Sequence, residues 1–185
     1  ELIPAIWPLK AIEMVRQFRV AGQKVSFTIA PGHPDASYVE RHVEEYRRFA
    51  DLIDTVIATE GELQMITGRD DWEGMMKYFH ERGVEHVAVN QGKEGAVIWS
   101  RDGGLESVKA PRVRFVDIDG AGESFAAGFL AGIAKGFTPK DAGRMACTAA
   151  GLCVRARGAL EGTKDPELVE RAFKDIETSR QAALA

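Results

Sequence analysis

Residues 117–124 read Asp-Ile-Asp-Gly-Ala-Gly-Glu-Ser, which sets two glycines just before a carboxylate and a hydroxyl. An apolar segment precedes the run and a small-residue, helix-like segment follows it. Gly120 and Gly122 permit positive backbone φ and close approach of a ligand. A helix that begins there presents unpaired N–H groups and the positive end of its dipole. Together these make an anion site, suited to a phosphate or a developing oxyanion. Glu123 beside such an anion can act as a general base toward an attacking hydroxyl. Taken alone, the same residues also suit a tight turn with a Glu that complements the helix dipole. No Gly-Lys-Ser/Thr follows, so this is not a Walker A loop, and Phe125 breaks any GxGxxG pattern.

The elements that must position these residues follow from periodicity and punctuation. Helices are expected over residues 8–21, 36–50 (capped by Asp35), 60–67, 71–82, 122–135, 139–155 and 166–178, with Gly22, Gly68 and Gly83 as stops. Strands are expected over residues 24–30, 55–59, 86–90, 96–100, 105–109 and 113–116, with a hairpin at Asp102-Gly103-Gly104. Residues 180–185 are expected to fray. The spacing of Gly128 and Gly132 is expected to let their helix approach the sheet. Strands alternating with helices predict an α/β fold with a mostly parallel, Rossmann-like sheet covered on both faces, a three-layer α/β/α sandwich. Ligands of such sheets bind beyond the carboxyl ends of the strands, which selects the loops at 30–34, 59–62, 90–95 and 117–123.

Composition narrows the function. The 185 residues are 45% hydrophobic and 28% charged, with a formal charge of −4. No basic face is visible, which argues against a nucleic-acid partner; Arg155 and Arg157 read as a solvated helix end. The longest run of small and apolar residues is too short to cross a bilayer. Cys147 and Cys153 lie six apart in one helical segment and cannot bridge, so they read as reduced, buried thiols of a cytoplasmic protein. The four histidines lack metal-ligand spacing. The opening ELIPAIWPLK has two prolines, no basic leader and no Met, and reads as the interior of a longer chain.

The stretch APRVRFVDIDGAGESFAAGFLAG resembles the C-terminal signature of the PfkB, or ribokinase-like, carbohydrate kinases, approximately D-T-x-G-A-G-D-S-F-x-x-G-F. Asp117, Gly120, Ala121, Gly122, Ser124, Phe125, Gly128 and Phe129 match it. KVSFTIA, DTVIATEGELQMITG, VAVNQGKEGAVIW and CTAAGLCVRARGAL resemble other family segments in the same order, so the resemblance covers about residues 8–160. It implies a single α/β domain over residues 1–185 that is the C-terminal part of a longer ribokinase-like domain, without the sugar-contacting strands and lid. It implies ATP- and Mg²⁺-dependent phosphoryl transfer to a hydroxymethyl group of a sugar, nucleoside or related alcohol. The amides of Gly120, Ala121 and Gly122 would form the anion hole, with Glu123 at the base position. Glu62 would organise Mg²⁺, commonly through water. Asn90, Gly92, Gly95, Asp117 and Cys147 would contact the nucleotide.

The sequence departs from the family where the chemistry lies. Glu123 replaces Asp, and the added methylene moves the carboxylate by about 1 Å, enough to cost on the order of 100-fold in rate. Thr59 and Asn90 replace an Asn and a Thr; Ala30-Pro31-Gly32 replaces Asp-Pro-Asn; Asp119 adds negative charge beside the anion site. A non-catalytic nucleotide-binding or structural module is the alternative. The resemblance further implies an apolar sheet edge that calls for a partner, either a homodimer or the missing N-terminal half.

Overall fold

The computed structural model describes residues 3–29 and 43–184. The chain order is α1 (Ile3–Val20), β1 (Ser26–Thr28), α2 (Val43–Ala50), β2 (Thr55–Thr59), α3 (Glu60–Thr67), α4 (Trp72–Glu81), β3 (His86–Asn90), a 3₁₀ turn (Gly92–Glu94), β4 (Ala96–Ser100), β5 (Gly104–Val108), α5 (Ala121–Ala134), α6 (Pro139–Cys153) and α7 (Pro166–Leu184). The strands form one five-stranded sheet in the order β1-β2-β3-β4-β5. β1 runs parallel to β2, with Phe27 opposite Val56. The α/β class expected from the alternation is the one observed. All five residues of β4 are buried, as in a strand covered on both faces.

The chain packs as two compact units. One comprises residues 1–87 and 100–102, the other residues 88–99 and 103–185. In the first, Leu63, Met75, Phe79, Val56 and Val84 are at most 1% exposed, and Phe27 stacks on Phe49 with ring centres 5.0 Å apart. Asp54 ties this unit together: its carboxylate accepts from Arg19 at 2.6 Å, from Lys24 at 3.3 Å and from the Val25 N–H at 2.8 Å. In the second unit, Phe125, Phe129, Ile98, Met145 and Ala146 are at most 1% exposed.

Local signals set most boundaries. Asp71 caps α4 by accepting from the Gly74 N–H at 2.7 Å. Thr138 and Pro139 open α6, with the Thr138 hydroxyl accepting from the Asp141 N–H at 3.2 Å. Gly68 closes α3 in the left-handed region at φ 66°.

Five expectations are corrected. First, residues 113–116 form no strand: the Val116 N–H is taken by the Val154 carbonyl at the end of α6, at 2.8 Å, not by a strand neighbour. Second, Gly128 and Gly132 approach α6 rather than the sheet. A Cβ on Gly128 would lie 2.7 Å from the Met145 carbonyl oxygen, and one on Gly132 would lie 2.7 Å from the Ala142 Cα. Third, α1 starts at Ile3, with Pro4 in the opening turn, where a missing N–H costs nothing. Fourth, α7 runs to Leu184, past the end expected at residue 178, on a helix opened by Asp165, whose carboxylate accepts from the Glu167 N–H at 3.0 Å. Fifth, the edge strand β1 is not an apolar edge: Ser26 and Thr28 are exposed around a half-buried Phe27. Exposed apolar side chains among the described residues include Leu105 on the other edge strand, β5, Val20 at the end of α1, and Phe115, Ile118 and Leu160.

The loop at 30–34, the Asp35 cap and the start of the helix expected at 36 lie outside the described residues. Among the described residues no helix is long and apolar enough to cross a membrane.

Candidate active site

The turn that feeds α5 is built on Gly120, the residue before the helix, which holds φ 78° in the left-handed region. Its missing side chain matters twice, because a Cβ there would also lie 2.6 Å from the Ala159 carbonyl oxygen. Gly122 differs. It lies in the first helical turn with no positive φ, and a Cβ there would meet open space. Its role is therefore access to the backbone, not an unusual conformation.

The amides of the turn divide. The Ala121 N–H is already bonded to the Ile118 carbonyl at 3.1 Å, and the Ser124 N–H to Gly120 at 2.9 Å. The Gly120, Gly122 and Glu123 amides have no backbone partner among the described residues. They remain, with the dipole, to receive an anion. In this structure the Ala121 N–H closes the turn.

Glu123 is exposed and lines a cleft of about 910 Å³ together with Asp119, Gly120 and Ser124 at its polar end. Ala127, Ala131, Val169 and Phe173 form apolar walls. A polar, donor-bearing end on an apolar cleft is the usual form of a small-molecule site. The Ser124 hydroxyl beside Glu123 was not singled out from the sequence as a site residue, although it belongs to the matched signature.

The other expected site residues divide. Asp117 lies next to the turn with its carboxylate engaged by backbone: Oδ2 accepts from the Gly158 N–H at 2.8 Å and Oδ1 from the Asp119 N–H at 3.3 Å. These bonds, the Gly158 one foremost, hold its carboxyl below the usual range. Asn90 Oδ1 accepts from the Gly92 N–H at 2.8 Å, which shapes the loop that Gly95 closes at φ 112°. Cys147 is buried on α6, and burial pushes its thiol up to about 11. Cys147, Asn90, Gly92 and Gly95 are not among the residues that line the cleft.

Glu62 belongs to the other unit. It is the third residue of α3, and its Oε2 accepts from the Thr59 N–H at 2.7 Å in a capping box. Burial raises its carboxyl above the ordinary value, against the lowering effect of the bonds to Thr59. Among the described residues no group of three or more His, Cys, Asp or Glu side chains could hold a metal by itself. A single carboxylate does fit an ion such as Mg²⁺, which usually keeps several waters and takes its other ligands from phosphates.

This chain belongs to the pfkB family of carbohydrate kinases, whose model matches residues 11–166. It is 34% identical over 154 residues to a 2-dehydro-3-deoxygluconokinase of Bacillus subtilis, which covers 80% of this chain and 46% of that protein. It is 32% identical over 147 residues to an uncharacterised sugar kinase of Archaeoglobus fulgidus, with 79% and 56% covered. The fold is similar to that of Arabidopsis thaliana ribokinase, solved with ribose and ATP, at a TM-score of 0.70 and 25% identity over 88% of this chain and 51% of that one. The chain thus spans about half the length of the relatives it matches.

Proposed function

We propose that this chain forms the nucleotide-binding and phosphoryl-transfer part of an ATP-dependent kinase whose acceptor is the hydroxymethyl group of a sugar or related alcohol. The observation that carries the reading is the set of unpartnered amides, Gly120, Gly122 and Glu123, at a helix start, with Gly120 and Glu123 lining one cleft. In this reading the acceptor hydroxyl gives its proton to Glu123 as its oxygen bonds to the γ-phosphorus. The bond from that phosphorus to the β,γ-bridging oxygen breaks, and ADP leaves. The amides stabilise charge on the transferring group, which is most of what a protein contributes to this reaction. Mg²⁺, when bound, neutralises phosphate charge, and Glu62 is the residue that would hold it, through water. Asn90, Gly92 and Gly95 would run along the nucleotide, and the helix carrying Cys147 would flank its base. The buried free thiols of Cys147 and Cys153 suit a reducing, cytoplasmic setting.

A second reading, a nucleotide-binding module without turnover, is favoured by Asp119, which lines the same cleft and opposes a polyphosphate. The product of the complete reading frame separates the two. Mg-ATP binding is read by thermal shift, and phosphoryl transfer over a panel that includes 2-dehydro-3-deoxygluconate, ribose, fructose and cytidine. Binding with turnover of one acceptor supports the kinase. Binding with no turnover rejects it in favour of the module, and no binding rejects both.

A further inference from the structure

We propose that the cleft beside α5 seats the acceptor, and that it selects an uncharged acceptor bearing an apolar or aromatic group, such as a nucleoside, over a free sugar or a sugar acid. The proposal rests on the kinase reading and names the substrate class of that site.

Gly120 and Glu123 line the cleft, so it opens onto the start of α5. Asn90, Gly92, Gly95 and Cys147, which the kinase reading gives to the nucleotide, do not line it. A phosphoryl group in transit has the nucleotide on one side and the acceptor oxygen in line on the other. The cleft is therefore on the acceptor side.

Its charge is one-signed. The carboxylates of Asp119 and Glu123 have no hydrogen-bond or ion-pair partner among the described residues, and no Lys, Arg or His lines the cleft. An acceptor with its own carboxylate would meet like charge there and no counter-ion.

Its walls are apolar beyond that end. Ser124, Ala127, Gly128 and Ala131 stand at i, i+3, i+4 and i+7, about 10 Å along α5. α7 adds Val169 and Phe173, one turn apart, and Leu160 lines the cleft while 74% exposed. The Thr163 hydroxyl is spent on the Leu160 carbonyl at 3.3 Å, which leaves Ser124 with the free side-chain hydroxyl. The ring hydroxyls of a free sugar would go unpaired along such a wall, at a cost in binding. A flat base or a phenyl ring would instead cover Leu160 and Phe173 and release their water.

The test uses the complete gene product with Mg-ATP, and cytidine, phenyl riboside, ribose and 2-dehydro-3-deoxygluconate as acceptors. The better of cytidine and phenyl riboside is expected to exceed ribose about tenfold in kcat/KM, and the sugar acid about 100-fold. Ala127 is exposed, so Ala127→Leu narrows the cleft without entering the core. This variant and Phe173→Ala are each expected to raise KM for phenyl riboside about tenfold more than KM for ribose. Asp119→Asn is expected to raise kcat/KM for the acid about tenfold relative to that for cytidine. A preference for ribose or the acid over both ring-bearing acceptors overturns the proposal and leaves the kinase reading standing. An Ala127→Leu effect confined to KM for Mg-ATP gives the cleft to the nucleotide and also overturns it. Acceptor ratios unchanged in Ala127→Leu do the same, as when another part of the chain fills the cleft. If no acceptor is turned over, the kinase reading fails and calorimetric binding of phenyl riboside decides the cleft. Binding weakened about tenfold by Ala127→Leu then supports the proposal, and absent or unaltered binding rejects it. If Phe173→Ala does not fold, Ala127→Leu carries the test.

Discussion

Glu123 lines the cleft next to the unpartnered amides of Gly120 and Gly122, its carboxylate one methylene longer than the Asp of the resembled signature. If it is the base, chain length and charge can be separated. Glu123→Asp is expected to raise kcat on the preferred acceptor, and Glu123→Gln to lower it by about 100-fold or more with Mg-ATP binding retained. Steady-state kinetics of the two variants checks this, and equal rates for Gln and Glu would remove Glu123 from the chemistry. The thiols make a second prediction at this scale. Burial holds Cys147 as a neutral thiol up to about 11, so at pH 8 it is expected to resist iodoacetamide in the folded protein and react on unfolding, as read by mass spectrometry.

Among the elements, the contact of α5 with α6 depends on two glycines whose partners lie on the opposing helix. Gly132→Ala places a methyl 2.7 Å from the Ala142 Cα, where neither backbone can yield cheaply. It is expected to cost about 1–3 kcal/mol, measured by denaturant unfolding. Gly61, in the first turn of α3, has no positive φ, and a methyl group added there would meet nothing within 4 Å. Gly61→Ala is expected to stabilise by up to about 1 kcal/mol in the same measurement. Caps and glycine stops were legible in the sequence because each acts within a few residues. The Gly128-x-x-x-Gly132 spacing announced a close approach but not its partner, since a groove fits a sheet or a helix equally well. Residues 113–116 had the composition of a strand and are not one; the Val116 N–H is taken by the end of α6 instead.

For the whole molecule, acid should act through Asp54. Burial raises its carboxyl, but bonds from Arg19, the Val25 N–H and Lys24 outweigh burial and hold it below its ordinary value of 3.8. A lowered folded value means the stabilisation is complete above the unfolded value and is lost as pH falls from there through the folded one. Stability measured by denaturant is therefore expected to decline below about pH 4, and Asp54→Asn to remove part of that slope. The same variant is expected to cost about 1–3 kcal/mol at pH 7, because Arg19 and Lys24 are partly exposed and can be re-solvated.

The sequence by itself determined the α/β class, most element boundaries, the glycine turn before α5 and the family. Those features are written in local spacing, or in a motif whose residues lie side by side. Tertiary structure alone decided which amides of the turn stay unpaired, what Asp117 holds, and where Cys153 places its hydrogen. Asp117 meets Gly158 across 41 positions and Cys153 meets Asp119 across 34. Contacts of that range leave no periodic or spacing signal, because they depend on where two helix ends are brought by the packing of the core. Glu123 could be found from its neighbours in the chain, whereas the cleft it lines could be found only from its neighbours in space.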